Sequence, residues 1–406
     1  MAARSAWSCL AADHGKRGGW MRTPISPAAA RAAAAATALA VTGYAMALSG
    51  PGLNASAPAA AVARSAPSAG ARGGTGSISH RGLAPASRQN SPQGDATPAR
   101  SRPRPARPHS RPPVLSRPAR PGGTAASRLD IGGPALASAG VVVAKTAPPL
   151  PAVPAAAYVI ANAATGQVLA AKDPHGQFPP ASTLKVLTAI TMLPRLRADA
   201  TIPASKFAAS MVPNVIGLIP GSRYRVADLF RALLMISAND AAVSLVQASG
   251  SFARGMALVN AEAHHLQAYD VVARMPNGLP APGQVVSAYD LALIGRAALG
   301  MPAFMQYDRT LSAMFYGTRF GPVHMVNENG LLTQYSGALG GKIGWTQAAG
   351  ATYLGMARRH GVTLIVTILH ATPLTEISSA ERLLNWGFAE NGRVRPVGTL
   401  VNPRSG

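Results

Sequence analysis

Cysteine is almost missing from this chain. Cys9 is the single one in 406 residues, which excludes an intramolecular disulfide and a cysteine-rich metal site and leaves the redox compartment open. Acidic residues are scarce as well, 15 Asp and Glu against 38 Lys and Arg, for a net charge of +23. Aromatic residues make up only 5% and charged residues 13%, while 41 glycines and 35 prolines interrupt the chain. That is too few ring anchors and too many breakers for compactness along the whole length, so an unfolded part is expected beside a folded one. The apolar content of 48% is ordinary for a globular protein and is enough for a sizeable core. The nine histidines show no metal-ligand spacing, and His264-His265 reads as a surface pair.

The positive charge is unevenly placed. Residues 1–150 carry 18 Lys or Arg against only Asp13, Asp95 and Asp130. A basic arm of that kind attracts polyanions, whether nucleic acid, anionic lipid or membrane surface, or an anionic cell-wall polymer. A Pro/Arg tract without interleaved aromatics offers no stacking platform, so no specific nucleic acid is expected. Residues 32–48 (AAAAATALAVTGYAMAL) hold no charge and follow Lys16, Arg17, Arg22 and Arg31, the layout of an export segment. Their alanines make them weakly hydrophobic and short for a bilayer span of about 20 residues. Ala55-Ser56-Ala57 offers a cleavage site, which favours a cleaved signal over a retained anchor. An alanine-rich helix with no targeting role is the plainer alternative, against which the positive flank argues. From Met21 onward the proportions are those of a signal peptide, so Met21 is a candidate start beside Met1. Residues 1–55 thus point to an extracytoplasmic protein, secreted or tethered to the cytoplasmic membrane by this segment. Residues 56–154, with stretches such as SRPRPARPHSRPPVLSRPARPGG, show no apolar period and read as a disordered, partly polyproline-like linker.

A globular pattern begins at about residue 155 and is taken to run to residue 406. Tyr158-Val159-Ile160 and Val168-Leu169-Ala170 flank Ala164-Thr165-Gly166-Gln167, which predicts a hairpin. Residues 181–193 (ASTLKVLTAITML) place Leu184, Val186, Leu187, Ile190 and Leu193 as in a buried helix ended by Pro194. Val226, Leu229, Leu233 and Ile236 predict a second helix and residues 240–250 a third, with a polar corner between them. Residues 288–299 read as a further helix. Residues 351–354 and 362–369 read as buried strands across a turn containing Arg358-Arg359-His360-Gly361, too short to span a membrane. Helices in the middle and strands at both ends imply a mixed architecture whose sheet is completed by distant parts of the chain.

Ser182 and Lys185 stand one helical turn apart, so their side chains share a face. A serine attacks only if its proton is removed, and a lysine does that only when its pKa falls far below about 10.4. Burial, a helix dipole and a second cation push in that direction. Ser-x-x-Lys alone is a weak pattern, and an N-capping serine is its structural alternative. Downstream, Ser237 and Asn239 occupy the polar corner, where a hydroxyl relays protons and an amide holds both a carbonyl and an amine. By itself that tripeptide is an ordinary cap and turn. Further on, Lys342-Ile343-Gly344-Trp345-Thr346 reads as a strand with Lys342, Gly344 and Thr346 on one side. Lys342 supplies a fixed cation for an anionic substrate end, and Gly344 leaves room for close approach.

The order of these elements resembles that of the serine D-alanyl-D-alanine carboxypeptidases, the low-molecular-mass penicillin-binding proteins of the β-lactamase/transpeptidase-like superfamily. The likeness spans about residues 157–390 and includes linking text such as GSRYRVADLFRALLMISANDAAVSL, Pro276-Asn277-Gly278-Leu279, SAYDLALIGRAAL and HATPLTEISSAERLLNWGF. It implies an α+β fold, an antiparallel sheet flanked by helices with an all-helical subdomain and the site at their junction. It also implies hydrolysis of the terminal D-Ala of peptidoglycan stem peptides through an acyl-enzyme, inhibition by β-lactams, and a part in cell-wall biogenesis and cell shape. No cofactor is implied. Carried over by position, the resemblance makes Ser182 the nucleophile, Lys185 its base, and Ser237 and Asn239 the relay and positioning pair. Lys342 becomes the anchor, the N–H groups of Ser182 and Trp345 the oxyanion hole, and Thr346 a holder of the carboxylate.

Two positions depart from the family. Ile343 stands where Thr is usual, removing a polar contact worth about 0.5–1.5 kcal/mol, and Arg225 replaces a small hydroxyl residue before a helix. A β-lactamase would need Glu-x-x-Leu-Asn for deacylation, and neither Glu262 nor Glu328 begins that pattern. A Ser-His-Asp hydrolase would want Gly-x-Ser-x-Gly, which is missing. A catalytically weak wall-binding module that lost turnover through Ile343 is the remaining alternative. The chain ends at Gly406 with no C-terminal amphipathic anchor expected.

Overall fold

The computed structural model describes residues 131–405. Cys9, the export segment at 32–48 and the linker up to residue 130 lie outside the described residues. A 3-10 turn (Pro134–Ala137) precedes strand β1 (Val141–Val143), which is followed by the hairpin β2 (Ala155–Asn162) and β3 (Gln167–Lys172). Asn162 makes that hairpin turn by accepting the amides of Ala164 and Thr165 at 3.0 and 3.1 Å, and Gly166 supplies the positive φ of +76°. A second 3-10 turn (Ala181–Thr183) leads into α1 (Leu184–Met192). Next come β4 (Thr201–Pro203), α2 (Lys206–Ala209), β5 (Arg223–Arg225), α3 (Val226–Met235), α4 (Asn239–Gln247), α5 (Phe252–His265), α6 (Ala288–Leu299) and α7 (Pro302–Asp308). The small hairpin β6 (Ser312–Thr318) and β7 (Gly321–Val326) precedes α8 (Leu331–Gln334), β8 (Ala338–Thr346), β9 (Gly350–Arg359), β10 (Val362–Ala371), α9 (Glu376–Glu390) and β11 (Gly398–Thr399).

The main sheet runs β1-β3-β2-β10-β9-β8, antiparallel throughout, with β11 pairing β3 beside β1. Its central pair joins distant chain segments, with Ile160 opposite Val366. β2, β9 and β10 are buried on both faces and accordingly read as near-continuous apolar runs. One face packs on α9, where Leu383, Leu384 and Trp386 meet Ile160, Leu364 and Val366. The other face meets the helices in the larger core, built on residues such as Leu187, Leu233, Leu291, Leu354 and Ile365. Two short strand pairs, β4–β5 and β6–β7, sit among the helices. β8 ends the sheet on the helical side, and that edge carries the site.

Two expectations need correction. Residues 131–154, assigned by composition to the linker, are part of the fold. β1 pairs with β3, Val142 opposite Ala171, and Trp386 Nε1 donates to the Pro148 carbonyl at 3.3 Å. Val143, Ala147, Leu150 and Val153 pack against the α9 core. The segment holds only a 3-10 turn (Pro134–Ala137) and the three-residue β1, with proline-interrupted extended chain after them, so no stretch is long enough to show a helical or strand period. The turn placed over residues 358–361 is only His360-Gly361, both at positive φ, with Arg358 and Arg359 inside β9. Two such residues match the twist of a hairpin.

Candidate active site

The chain cannot continue regularly through Pro179-Pro180, and the turn beyond these prolines is tightly held. The Pro180 carbonyl accepts from Thr183 Oγ1 at 2.6 Å and from Thr352 Oγ1 of β9 at 3.0 Å. Ala181 has φ +46°, a strained conformation for a residue with a Cβ that costs about 1–3 kcal/mol. Two glycines flank this turn. A Cβ on Gly278 would overlap the Ala181 carbonyl, and one on Gly344 would lie 2.6 Å from Ser182 N and 2.5 Å from Thr352 Oγ1. The sequence alone suggests that Gly344 is bare for the sake of an approaching substrate. In the structure its missing side chain makes room for Thr352 Oγ1 and the backbone of Ser182.

Lys185, fully buried in the first turn of α1, sits over Ser182. Its Nζ makes three contacts of 2.8 Å, to Ser182 Oγ, Asn239 Oδ1 and the Asn277 carbonyl. Burial holds its pKa well below the lysine range, the Lys342 ammonium adds to the effect, and the carboxylates of Glu328 and Asp240 oppose it. A neutral amine has two N–H donors and one lone pair. The Asn277 carbonyl can only accept, and Asn239 must present its oxygen because its Nδ2 donates to Val212 O at 2.9 Å. Both N–H bonds are thereby committed, and the lone pair is left facing the serine hydroxyl.

Asn239 opens α4, where Asp240 next to it accepts the amides of Ile216, Gly217 and Leu218 at 2.9–3.0 Å. This carboxylate pins the loop whose Val212 carbonyl orients Asn239. Ser237 has φ +60° and is buried, and its Oγ has no hydrogen-bond partner among the described residues. An unpaired buried hydroxyl in such a corner is uncommon, and a reacting group is one explanation for it. Asn277 sits in a loop that Gln284 holds by accepting the amides of Arg274 and Met275 and donating to Leu279 O. Thr188 Oγ1 donates to Pro276 O at 2.7 Å.

Lys342 is buried on β8, with Nζ donating to the Ile343 carbonyl at 3.0 Å. Burial lowers its pKa, while Glu328 and Asp308 raise it. In an antiparallel edge strand, alternate residues turn their N–H and C=O away from the partner strand. Side chains outside the sheet bond both backbone groups of Gly341, so Ile343 and Trp345 also turn theirs outward. The Trp345 N–H therefore faces the open edge of β8, next to Gly344, which abuts the backbone of Ser182. The indole of Trp345 is 52% exposed. Ile343 packs with the α9 core, on the opposite face from Lys342 and Gly344. Thr346 lies at the strand end, where its hydroxyl accepts the Ala349 amide at 3.0 Å.

The fold thus joins Ser182, Lys185 and Asn239 by direct hydrogen bonds, stacks Gly344 on Ser182, and brings the Lys342 charge to bear on Lys185. Thr346 stands apart at the turn. Sequence reasoning passes over three contributors: the Asn277 carbonyl, Asp240 and Glu328. A backbone carbonyl carries no residue-type signal, although Asn277 belongs to the family-like run Pro276–Leu279. Glu328 enters the sequence reading only as a β-lactamase base. Its Oε1 accepts from Asn214 Nδ2 at 3.1 Å, and its carboxylate acts on both lysines.

A family model described as D-alanyl-D-alanine carboxypeptidase, Peptidase S11, matches residues 143–373. D-alanyl-D-alanine carboxypeptidase DacB2 of Mycobacterium tuberculosis is 38% identical over 258 residues, covering 62% of this chain and 88% of the relative. DacC of Escherichia coli is 30% identical, covering 61% and 64%. Among solved structures, a putative penicillin-binding protein homologue from M. tuberculosis superposes with a TM-score of 0.61 at 36% identity, over 64% of this chain and 100% of the other. The Streptomyces K15 DD-transpeptidase gives 0.57 at 28%, over 60% and 100%.

Proposed function

This chain belongs to the S11 family of D-alanyl-D-alanine carboxypeptidases, serine hydrolases, and on that premise we propose how its residues divide the work on a peptidoglycan stem peptide. Ser182 Oγ attacks the carbonyl between the two terminal D-alanines while Lys185 takes its proton. The oxyanion that develops is held by the N–H groups of Ser182 and Trp345. Ser237 relays the proton held by Lys185 to the departing amine, the C–N bond breaks, and D-alanine leaves with its carboxylate released from Lys342, Lys185 being neutral again. Water then attacks the acyl-enzyme, its proton returns through Lys185, and Ser182 is restored. The observation that supports this most is the set of three 2.8 Å contacts of Lys185, two of them to atoms that can only accept. β-Lactams fit the same serine, as the family implies. The substrate lies outside the cytoplasm, which accords with reading residues 1–55 as an export signal or tether and with a role in wall biogenesis and cell shape.

The test is covalent labelling with a fluorescent penicillin followed by peptide mapping, alongside D-alanine release from diacetyl-Lys-D-Ala-D-Ala. A persistent adduct on Ser182 and release of one D-alanine per peptide are expected. An adduct on another residue, or neither adduct nor release, would overturn the assignment, and rapid penicillin turnover would favour a β-lactamase. Adding an amine acceptor separates hydrolysis from transpeptidation by the product masses.

The Ile343 departure gives a separate expectation. Threonine there restores a hydroxyl at the cleft edge, so Ile343→Thr should raise the acylation rate constant for the peptide about 2- to 10-fold, the equivalent of a contact of about 0.5–1.5 kcal/mol. Loss of apolar packing against the α9 core should lower the melting temperature at the same time. An unchanged acylation rate would show that Ile343 does not limit carboxylate binding.

A further inference from the structure

β8 is the last strand of the sheet, so its outer edge offers backbone groups to whatever lies beside it. At Gly341 that edge is already occupied. Asp308, fully buried at the end of α7, accepts the Gly341 N–H through Oδ2 at 2.7 Å. Asn329 Nδ2 donates to the Gly341 carbonyl at 3.2 Å, and Tyr353 OH donates to Asn329 Oδ1 at 2.8 Å, fixing the amide's orientation. A Cβ on Gly340 would overlap Asp308 Oδ2. Two buried side chains thus do for Gly341 what a further strand would do. Of the next outward-facing residues, Ile343 has its carbonyl bonded by Lys342 Nζ at 3.0 Å, a group of the site itself, and Trp345 has no such side-chain cover among the described residues. Ser182 abuts Gly344, and the Lys342 ammonium lies N-terminal to it, so the last residue of a bound peptide runs from Trp345 toward Gly341, antiparallel to β8.

We propose that Asp308 and Asn329 are positioning residues that close the substrate-pairing edge of β8 at Gly341, so that a peptide fits only when it ends one residue after the scissile bond. This rests on the reading of Ser182 and Lys342 given above. A longer peptide would have to displace Asp308 from the Gly341 amide and strand two buried polar groups. Asp308 also faces Lys342. Burial raises its pKa to about 7, against the pull of the Gly341 N–H and the Lys342 ammonium. The other titratable groups around the pair are the Tyr353 hydroxyl and Glu328. On the helices packed against α7, Asp228 and Arg231 of α3 pair with each other. On α6, Asp290 accepts the Asp270 amide and Arg296 donates to the carbonyls of Ala163 and Leu400. Arg309, next in the chain, is exposed. As pH rises through about 7, Asp308 ionises and steadies the Lys342 ammonium, and a charged Lys342 favours the neutral form of Lys185.

The experiment compares the wild type, Asp308→Asn and Asp308→Ala on diacetyl-Lys-D-Ala-D-Ala and on the same peptide carrying a further C-terminal glycine. The wild type should prefer the shorter peptide at least 100-fold. Asp308→Ala should lose at least tenfold of that preference, mainly through KM. Asp308→Asn keeps an acceptor for the Gly341 amide without the charge, so it should retain the preference and lose the step near pH 7 in the rate profile. A folded Asp308→Ala protein with undiminished preference, or an Asp308→Asn protein with the wild-type pH profile, would overturn the proposal. If Asp308→Ala does not fold, Asn329→Ser, which removes the donor on the other side of Gly341, carries the same expectation. Penicillin labelling of the wild type is read separately. Failure there would remove the premise about Ser182, whereas labelling with no change in peptide preference removes only the role given to Asp308.

Discussion

Lys185→Met should lower the penicillin acylation rate constant by about 10²–10⁴-fold, the usual contribution of a positioned proton acceptor, while Ser182 stays in place. Methionine approximates the length of the lysine stem but has no lone pair strong enough to take the serine proton. In the proposed reaction the active form is the neutral amine, so acylation should fall as pH drops through the lowered pKa of Lys185 and level off above it. Linkage supplies a second readout. The pKa of Lys185 in the folded protein lies below its unfolded value, so the unfolded chain binds more protons throughout the interval between the two. Stability contributed at this site therefore rises with pH across that interval and is lowest below it. Asp308 works in the opposite sense at lower pH, because its raised pKa lets the folded state hold more protons between the ordinary carboxylate range and about 7. The difference between Lys185→Met and wild type cancels Asp308 and isolates the lysine. Denaturant unfolding from neutral to alkaline pH should accordingly show a shallower slope in the variant. Acylation at the wild-type rate by Lys185→Met would remove this amine from the reaction.

Gly344→Ala should be nearly as damaging, for a steric reason. The added methyl would lie 2.5 Å from Thr352 Oγ1, 2.6 Å from Ser182 N and 3.0 Å from Thr183 N. None of these is the loose end of a flexible side chain. Ser182 and Thr183 belong to a turn whose Pro180 carbonyl is bonded from two sides, and Gly278 blocks retreat toward Ala181. The strand and the turn must therefore part. Overpacking of this kind costs about 1–3 kcal/mol, and a shift of about 1 Å in the serine is enough to lower its reactivity by about 100-fold. Acylation should thus fall by about two orders of magnitude with only a moderate drop in melting temperature. Gly300→Ala is the control. Its Cβ would stand 3.4 Å from the Ala297 carbonyl at ordinary φ, and both readouts should stay near wild type. Acylation by Gly344→Ala at an undiminished rate would mean that the turn is free to move.

Local pattern made much of this legible. The apolar spacing from Leu184 onward placed α1, and with it the shared face of Ser182 and Lys185. Strand alternation placed Lys342 and Gly344 together and Ile343 opposite, and the segment joining two apolar helical runs marked the corner at Ser237–Asn239. These readings hold because side-chain direction in a helix or strand depends on periods of 3.6 and 2, which the residue order states directly. The segment 131–154 escaped because its 3-10 turn, its three-residue strand and the proline-interrupted chain after them are each too short to show a period.

Residue order therefore named the candidate groups for the chemistry and the helix, corner and strand that present them. Folding alone decided how those groups act on one another. The Asn277 carbonyl that uses up an N–H of Lys185, the Asp240 carboxylate that fixes the loop orienting Asn239, and the closure of β8 by Asp308 and Asn329 are contacts between segments far apart in the chain. Their strength comes from burial and from angles that no local spacing encodes. The shift in an amine's pKa depends on how much water and which charges surround it, and those surroundings exist only once the sheet edge, the turn at Ser182 and the helices have closed on each other.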